Sequence, residues 1–223
     1  MIALTAFRVA AYVRSHRVYQ ALLPILAMLA IIYSVRAPQG EEAAALTASA
    51  VLIIPFLAWS VRSLLDTEPG RQRVISATGA GSPLREEVAG LLASLVTSLA
   101  FAALALGCGL LLGLSATPPP AVLAMAVALH GLAVLAGLAL GALTSRPILP
   151  SPALSTMGLV SGYLAMLLVG SSPVYWLTVP VTAWMRAADA DRLAAELPHL
   201  AAVSLGWCLV ALVGYGLLRR TRP

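Results

Sequence analysis

The chain has 223 residues, 60% of them hydrophobic and 10% charged, with a formal net charge of +5 at pH 7. Soluble domains carry about 25% charged residues, so this is the composition of a membrane protein, with no room for a sizeable soluble domain. All 14 basic residues are Arg, and the lack of Lys excludes a Walker A loop, Schiff-base chemistry and a Ser-Lys dyad.

Residues 1–17 are too short and too charged to span. At helical spacing Thr5, Arg8, Tyr12 and Ser15 form one polar stripe, while Ile2, Val9 and Val13 cluster on another side. That pattern predicts a helix lying along the membrane surface, with Arg14 and Arg17 snorkelling to headgroups, the alternative being a plain charged leader. Six apolar windows follow, at 18–35, 43–61, 88–114, 121–143, 153–170 and 200–218. Each approaches the roughly 20 helical residues that a bilayer core of about 30 Å requires. The first has a long N-terminal flank and no small-residue cleavage pattern, so it reads as a span and not as a signal peptide. The expected fold is an all-α membrane protein of six transmembrane helices behind an N-terminal interfacial helix.

Between the second and third windows lies DTEPGRQRVISATGAGSPLREE, residues 66–87, the most densely polar part of the chain. Pro69 and Gly70 break the preceding helix. RQRVISATG offers about two helical turns that display Arg71, Gln72 and Arg73 beside Val74 and Ile75, and Gly79 and Gly81 stop it. Ser82 can cap the next helix, with Pro83 at its first position and Glu86 and Glu87 in its first turn. A short helix between two breaks, carrying Arg and apolar residues together, suits docking into a partner's groove.

The later windows carry little chemistry. None of the six contains Asp, Glu or Arg, whereas ion-coupled carriers place such groups at mid-membrane. His130, in the fourth window, is either a neutral His bonded to a neighbouring helix or a group with a role in transport. Cys108 and Cys208 lie in apolar runs as small hydrophobes, and no acidic cluster offers a metal site. Ser161 and His199 do not make a convincing intramembrane protease pair. The pairs Gly109/Gly113, Gly137/Gly141 and Gly158/Gly162 are small-xxx-small patterns, serving either packing within the chain or a subunit interface. Thr47, Ser49, Ser60 and Tyr163 either line a substrate path or act as helix-packing hydroxyls. Between the fifth and sixth windows, 173–184 is too short to cross. It reads either as a simple outer loop or as a shallow re-entrant or surface segment with Tyr175, Trp176 and Trp184 in the interface belt, followed by a short polar helix over 187–197.

Arginine sets the orientation. With the N-terminus inside, eleven of the 14 Arg fall on cytoplasmic segments and only Arg36, Arg186 and Arg192 fall outside. Positive charge favours the cytoplasmic side, so both termini and loop 66–87 are expected there.

Taken together, these parts resemble the membrane subunit of an ABC-2 type exporter. LLDTEPGRQRVISATGAGSPLREEVAGLLAS looks like that family's acidic residue, glycine, short helix and SP-x-R-E turn into span three, and SSPVYWLTVP is similar to its Pro-aromatic segment after span five. Departures are Pro69 before the glycine and the missing Lys near the start of span three. The resemblance implies a single ABC-2 type transmembrane domain over 1–223, in a bacterial cytoplasmic (inner) membrane. It implies a coupling helix between spans two and three and re-entrant extracellular helices between spans five and six. A separate ABC ATP-binding subunit, in two copies, would bind ATP and Mg and dock on Glu68, Gly70, Arg71, Gln72, Arg73, Val74, Ile75, Ser76 and Thr78. Arg71 and Arg73 would meet its acidic groups, and Glu68 would form a hinge contact. The chain itself would be no enzyme and would bind no cofactor, metal or nucleic acid. It would pair with a second permease, identical or paralogous, among membrane lipids. The implied cargo is an amphipathic molecule moved outward: a lipid, glycolipid, peptide or drug, with heme a further option. A non-transporting scaffold or an energy-independent channel of the same topology are the competing readings.

Overall fold

The computed structural model describes residues 1–68, 78–79 and 81–221. Among these the chain is helical, with no β-strand and only one isolated bridge, between Ala37 and Leu114. Eight α-helices are described in chain order: α1 Ile2–Arg14, α2 Val18–Ile32, α3 Glu42–Leu65, α4 Pro83–Cys108, α5 Pro120–Leu143, α6 Pro152–Gly170, α7 Val181–Asp189 and α8 Leu193–Thr221. A π-helical turn, Gly109–Gly113, extends α4, and a 3₁₀ turn, Tyr175–Leu177, precedes α7.

Among the described residues, five helices are long and apolar enough to cross a membrane: α3, α4 with its π-turn, α5, α6 and α8. A sixth crossing requires α1 and α2 to be taken together, although they are bent by 71°. This pair, through α2, stands where the first span was expected, at 18–35. α2 has 15 residues, about 22 Å of helix, which is short of a hydrocarbon core of about 30 Å. The bend sits at His16, whose φ of +59° ends α1 in the left-handed region.

The observed helices also overrun the expected windows. α3 continues through Arg62 to Leu65, α4 starts at Pro83, and α8 starts at Leu193 and passes through Pro198. Arg62, Glu86 and Glu87 therefore stand inside long apolar helices, and Arg219 lies in the last turn of α8. The cap of α4 is as expected: the Arg85 amide donates to Ser82 Oγ (3.2 Å), with Pro83 at the first position.

α3 is the central helix, burying Leu46, Ala50, Ile53, Ile54, Leu57, Ala58 and Val61 against its neighbours. It meets α5 at Gly137 and Gly141. A Cβ on Gly137 would lie 2.7 Å from Leu57 Cβ, and one on Gly141 would lie 2.5 Å from the Ala58 carbonyl oxygen. Gly162 admits Leu140 in the same way, and Gly109 and Gly113 admit the Tyr33 ring. These small-residue patterns pack within the chain. At the end of the bundle away from loop 66–87, the Ala37 amide donates to the Gly113 carbonyl (2.8 Å) and the Ser115 amide to the Ala37 carbonyl (3.1 Å).

The segment after α6 differs from expectation in two ways. The helix break falls at Asp191, with φ +54°, inside the polar helix expected over 187–197. Trp184, expected in the interface belt, is wholly buried in the core beneath α7. Trp176 does remain exposed, and its carbonyl accepts from Trp207 Nε1 (2.7 Å). Cys208 is buried and Cys108 half-buried, both as free thiols.

Candidate functional site

The chain gathers its charge at the end of the bundle where loop 66–87 leaves α3 and returns as α4. The polar stripe of α1 explains how. Arg8 and Tyr12 turn inward and are buried, while Ile2 and Val13 face out. Arg8 and Tyr12 of the polar stripe thus face the protein, with Val9 packed beside Tyr12, while Ser15 stays exposed.

Arg8 reaches both sides of the loop. Its Nη2 donates to Glu68 Oε2 at 3.0 Å, and the same nitrogen pairs with Glu86 Oε1. Glu86 is shared, because its other oxygen pairs with Arg219 Nη2, and Arg219 Nη1 donates to the Tyr215 hydroxyl at 2.9 Å. Side-chain exposure in this node is 8% for Arg8, 8% for Glu68, 3% for Glu86 and 16% for Arg219. Buried charges of this kind are tolerated only when paired. Backbone dipoles assist: Glu86 sits in the first turn of α4 and Arg219 in the last turn of α8, each at the helix end that favours its charge.

Gly90 makes the space. A Cβ there would collide with Arg8 Nη1 and stand 3.1 Å from Leu65 Cδ2. One turn along, Tyr12 hydrogen-bonds Ser60 at 3.1 Å and completes the docking of α1 on α3.

A second charged group sits beside the first, around Asp66, the residue that ends α3. Asp66 Oδ1 accepts from the Arg146 amide (2.9 Å), and the Asp66 carbonyl accepts from Arg17 Nη1 (3.2 Å). Arg62 Nε and Arg146 Nε each lie 3.9 Å from Asp66 Oδ2.

The residues expected to act are placed as follows. Glu68 is in the first node. Gly70, Arg71, Gln72, Arg73, Val74, Ile75 and Ser76 lie outside the described residues. Thr78 is exposed, and its carbonyl accepts from the Gly81 amide at 3.1 Å. The candidate path residues are each engaged in hydrogen bonds inside the chain. Thr47 donates to the Ala43 carbonyl (2.6 Å) and Tyr163 to the Val51 carbonyl (3.1 Å). Ser60 holds Tyr12, and Ser49 donates to the Leu46 carbonyl (3.0 Å) while lying 3.3 Å from His130 Nε2. His130 Nδ1 is 2.8 Å from the Ala126 carbonyl oxygen, so both ring nitrogens have partners. Thr47 thus bonds within α3, Ser60 joins α3 to α1, Ser49 faces α5 and Tyr163 joins α6 to α3.

Sequence reasoning missed Arg8, Glu86, Arg219 and Gly90 as one unit. A signal was present: in a chain with nine acidic residues, one Glu stands on each side of the loop and an Arg stands on the polar stripe of α1. No protein-family model, no curated protein and no solved structure matches this chain.

Proposed function

We propose that this chain is the membrane-spanning permease of an ATP-driven exporter of the ABC-2 type. In this reading it works beside two copies of a separate ATP-binding subunit and a second permease, identical or paralogous, in a bacterial cytoplasmic membrane. Loop 66–87 is the docking element, on the cytoplasmic side together with both termini. Arg71 and Arg73 meet acidic groups of the ATPase, and Val74 and Ile75 fill its cleft. The cargo is amphipathic and moves outward.

The observation that carries this reading is the anchoring of both ends of that loop. Glu68 on the way out and Glu86 on the way back are held by the same guanidinium, Arg8, and Glu86 is tied onward to Arg219. A force applied between them meets α1, α3, α4 and α8 together, as a transmission requires and an ordinary surface loop does not. The Arg asymmetry, the inward-facing Arg8 and Tyr12 of α1 and the short helix α7 before the last long helix agree with the same architecture.

The test is a pull-down in detergent and in lipid nanodiscs with the ATP-binding protein encoded nearest to this gene. Wild type is compared with the Arg71→Glu/Arg73→Glu variant, scoring bound ATPase and its turnover. Retention by wild type and loss by the variant is the expected result. If wild type retains no ATPase in either medium, the exporter reading falls and a membrane scaffold takes its place.

A further inference from the structure

Beside the Arg8 node, Asp66 and three arginines enclose a pocket of about 230 Å³, lined among others by Arg17, Arg62, Arg146, Asp66, Trp59 and Ser63. The arginines come from three places in the chain: the α1–α2 corner, the last turn of α3 and the α5–α6 connection. Two of the guanidiniums, those of Arg62 and Arg17, are already hydrogen-bonded in place. Arg62 donates to Thr156 Oγ1 (2.8 Å) and to the Pro152 carbonyl (3.4 Å), and its guanidinium lies 5.6 Å from the centre of the Trp59 ring. Arg17 is held by the Asp66 carbonyl, and the backbone at Arg146 is held by the Asp66 carboxylate. Two guanidiniums thus lie 3.9 Å from the Asp66 Oδ2 and the third bonds its carbonyl, so three positive charges line the pocket with one negative charge and leave a positive excess. Planar guanidinium forks of this kind match the oxygens of phosphate.

The surface leading away from the pocket is apolar. Leu52, Phe56 and Trp59 follow one another on α3 at intervals of four and three residues, which places them on one face. Leu52 and Trp59 are each 38% exposed. This stripe starts one helical turn from Ser63 and Arg62 and runs toward the middle of α3.

We infer that the pocket binds the phosphate of an anionic phospholipid, with its acyl chains lying along Leu52, Phe56 and Trp59. A phosphate head over an apolar stripe fits a lipid better than a soluble phosphate ester, which would occupy the pocket and leave the stripe bare. Basic pockets between membrane helices recognise anionic headgroups by this combination. The site goes beyond the proposed function and stands whether or not the chain works with an ATPase.

Trp59 supplies the reporter. The protein is reconstituted in phosphatidylcholine nanodiscs containing either brominated phosphatidylglycerol or brominated phosphatidylcholine, and tryptophan quenching is measured for wild type and Trp59→Phe. The expected result is a quenching component that vanishes in Trp59→Phe and responds to phosphatidylglycerol at lower lipid fraction than to phosphatidylcholine. Removing one arginine should weaken that preference about fivefold. Arg146→Gln is the first variant because its side chain is 54% exposed, so its fold is expected to survive, as an unchanged thermal midpoint would verify. Arg17→Gln is the second. Equal quenching by the two lipids, or a preference untouched by both variants, overturns the inference. A parallel arm adds millimolar inorganic phosphate or glycerol phosphate. If these raise the thermal midpoint of wild type but not of Arg146→Gln, while phosphatidylglycerol leaves Trp59 unquenched, the pocket serves a soluble phosphate and the lipid assignment is wrong.

Discussion

Replacing Arg8 by Met should be among the most damaging single changes in the chain. The substitution keeps the length of the stem and removes the charge that Glu68 and Glu86 share. Glu86 retains Arg219, but Glu68 loses its ion pair with Arg8 while only 8% exposed. Removing one partner of a buried pair costs about 3–5 kcal/mol, because the carboxylate left behind keeps its desolvation penalty. In a chain of this length that is a fall in thermal midpoint on the order of 10 °C. The effect should be local as well as global. α1 is held to the bundle by Arg8 and by the Tyr12–Ser60 hydrogen bond, so hydrogen exchange over residues 2–14 should rise before the rest of the protein loosens. The assay is thermal unfolding in detergent with exchange mass spectrometry, on Arg8→Met, Glu68→Gln and the double variant. The double variant should be more stable than Arg8→Met alone, because its neutral amide no longer strands a charge. If Arg8→Met stays within about 0.5 kcal/mol of wild type and α1 exchanges as before, the node does not hold α1 and cannot serve as a transmission.

Two further predictions follow from packing. Gly141→Ala would push a methyl against the Ala58 carbonyl and Val61, forcing α5 from α3 at a cost of about 1–3 kcal/mol. Gly214→Ala in α8, where nothing lies within 4 Å, should be neutral or stabilise by up to about 1 kcal/mol through helix propensity, and thermal midpoints of the pair decide the sign. His130→Leu should change stability by about 1 kcal/mol or less, since Ser49 keeps its bond to the Leu46 carbonyl. Under the proposed exporter function, loss of transport at an unchanged thermal midpoint would instead assign His130 a part in it.

Much of the helical plan was legible in residues 42–170 because the signals there are local. Ser82 and Pro83 mark the start of α4, Ser151 and Pro152 the start of α6, and Pro120 the start of α5. Local signals fail where tertiary contacts decide. Ala187 to Leu197 reads as one helix because its residues tolerate helix throughout, yet the chain turns at Asp191, a residue type that accepts a positive φ. Trp184 looks like an interface aromatic until α7 is folded over the core, and the window at 18–35 holds a helix of 15 residues that reaches a span's length only together with α1. The charged node was not legible as a unit, since Arg8 pairs with partners 60 and 78 positions away and Arg219 with one 133 positions away. What the sequence does expose is that two of these four charges, Glu86 and Arg219, adjoin apolar runs, where an unpaired charge is costly. Partners were therefore to be expected, but not their identities.

The shared carboxylate gives the node its mechanical character. Glu86 is fixed to the first turn of α4, and its two oxygens hold arginines from near the two ends of the sequence, Arg8 on α1 and Arg219 on α8. Ion pairs and tight packing switch between discrete arrangements more readily than they stretch. A displacement of the loop base therefore either carries the ends of α1, α3, α4 and α8 along as one piece or breaks a buried pair. Gly90 favours the first course, because Arg8 is seated against the α4 backbone with no side chain between them. Arg62, Arg17 and Arg146 around Asp66 extend the same logic to the α1–α2 corner and the α5–α6 connection. The loop base thus joins α3 and α4 directly, with α1 and α8 held to it through Arg8 and Arg219.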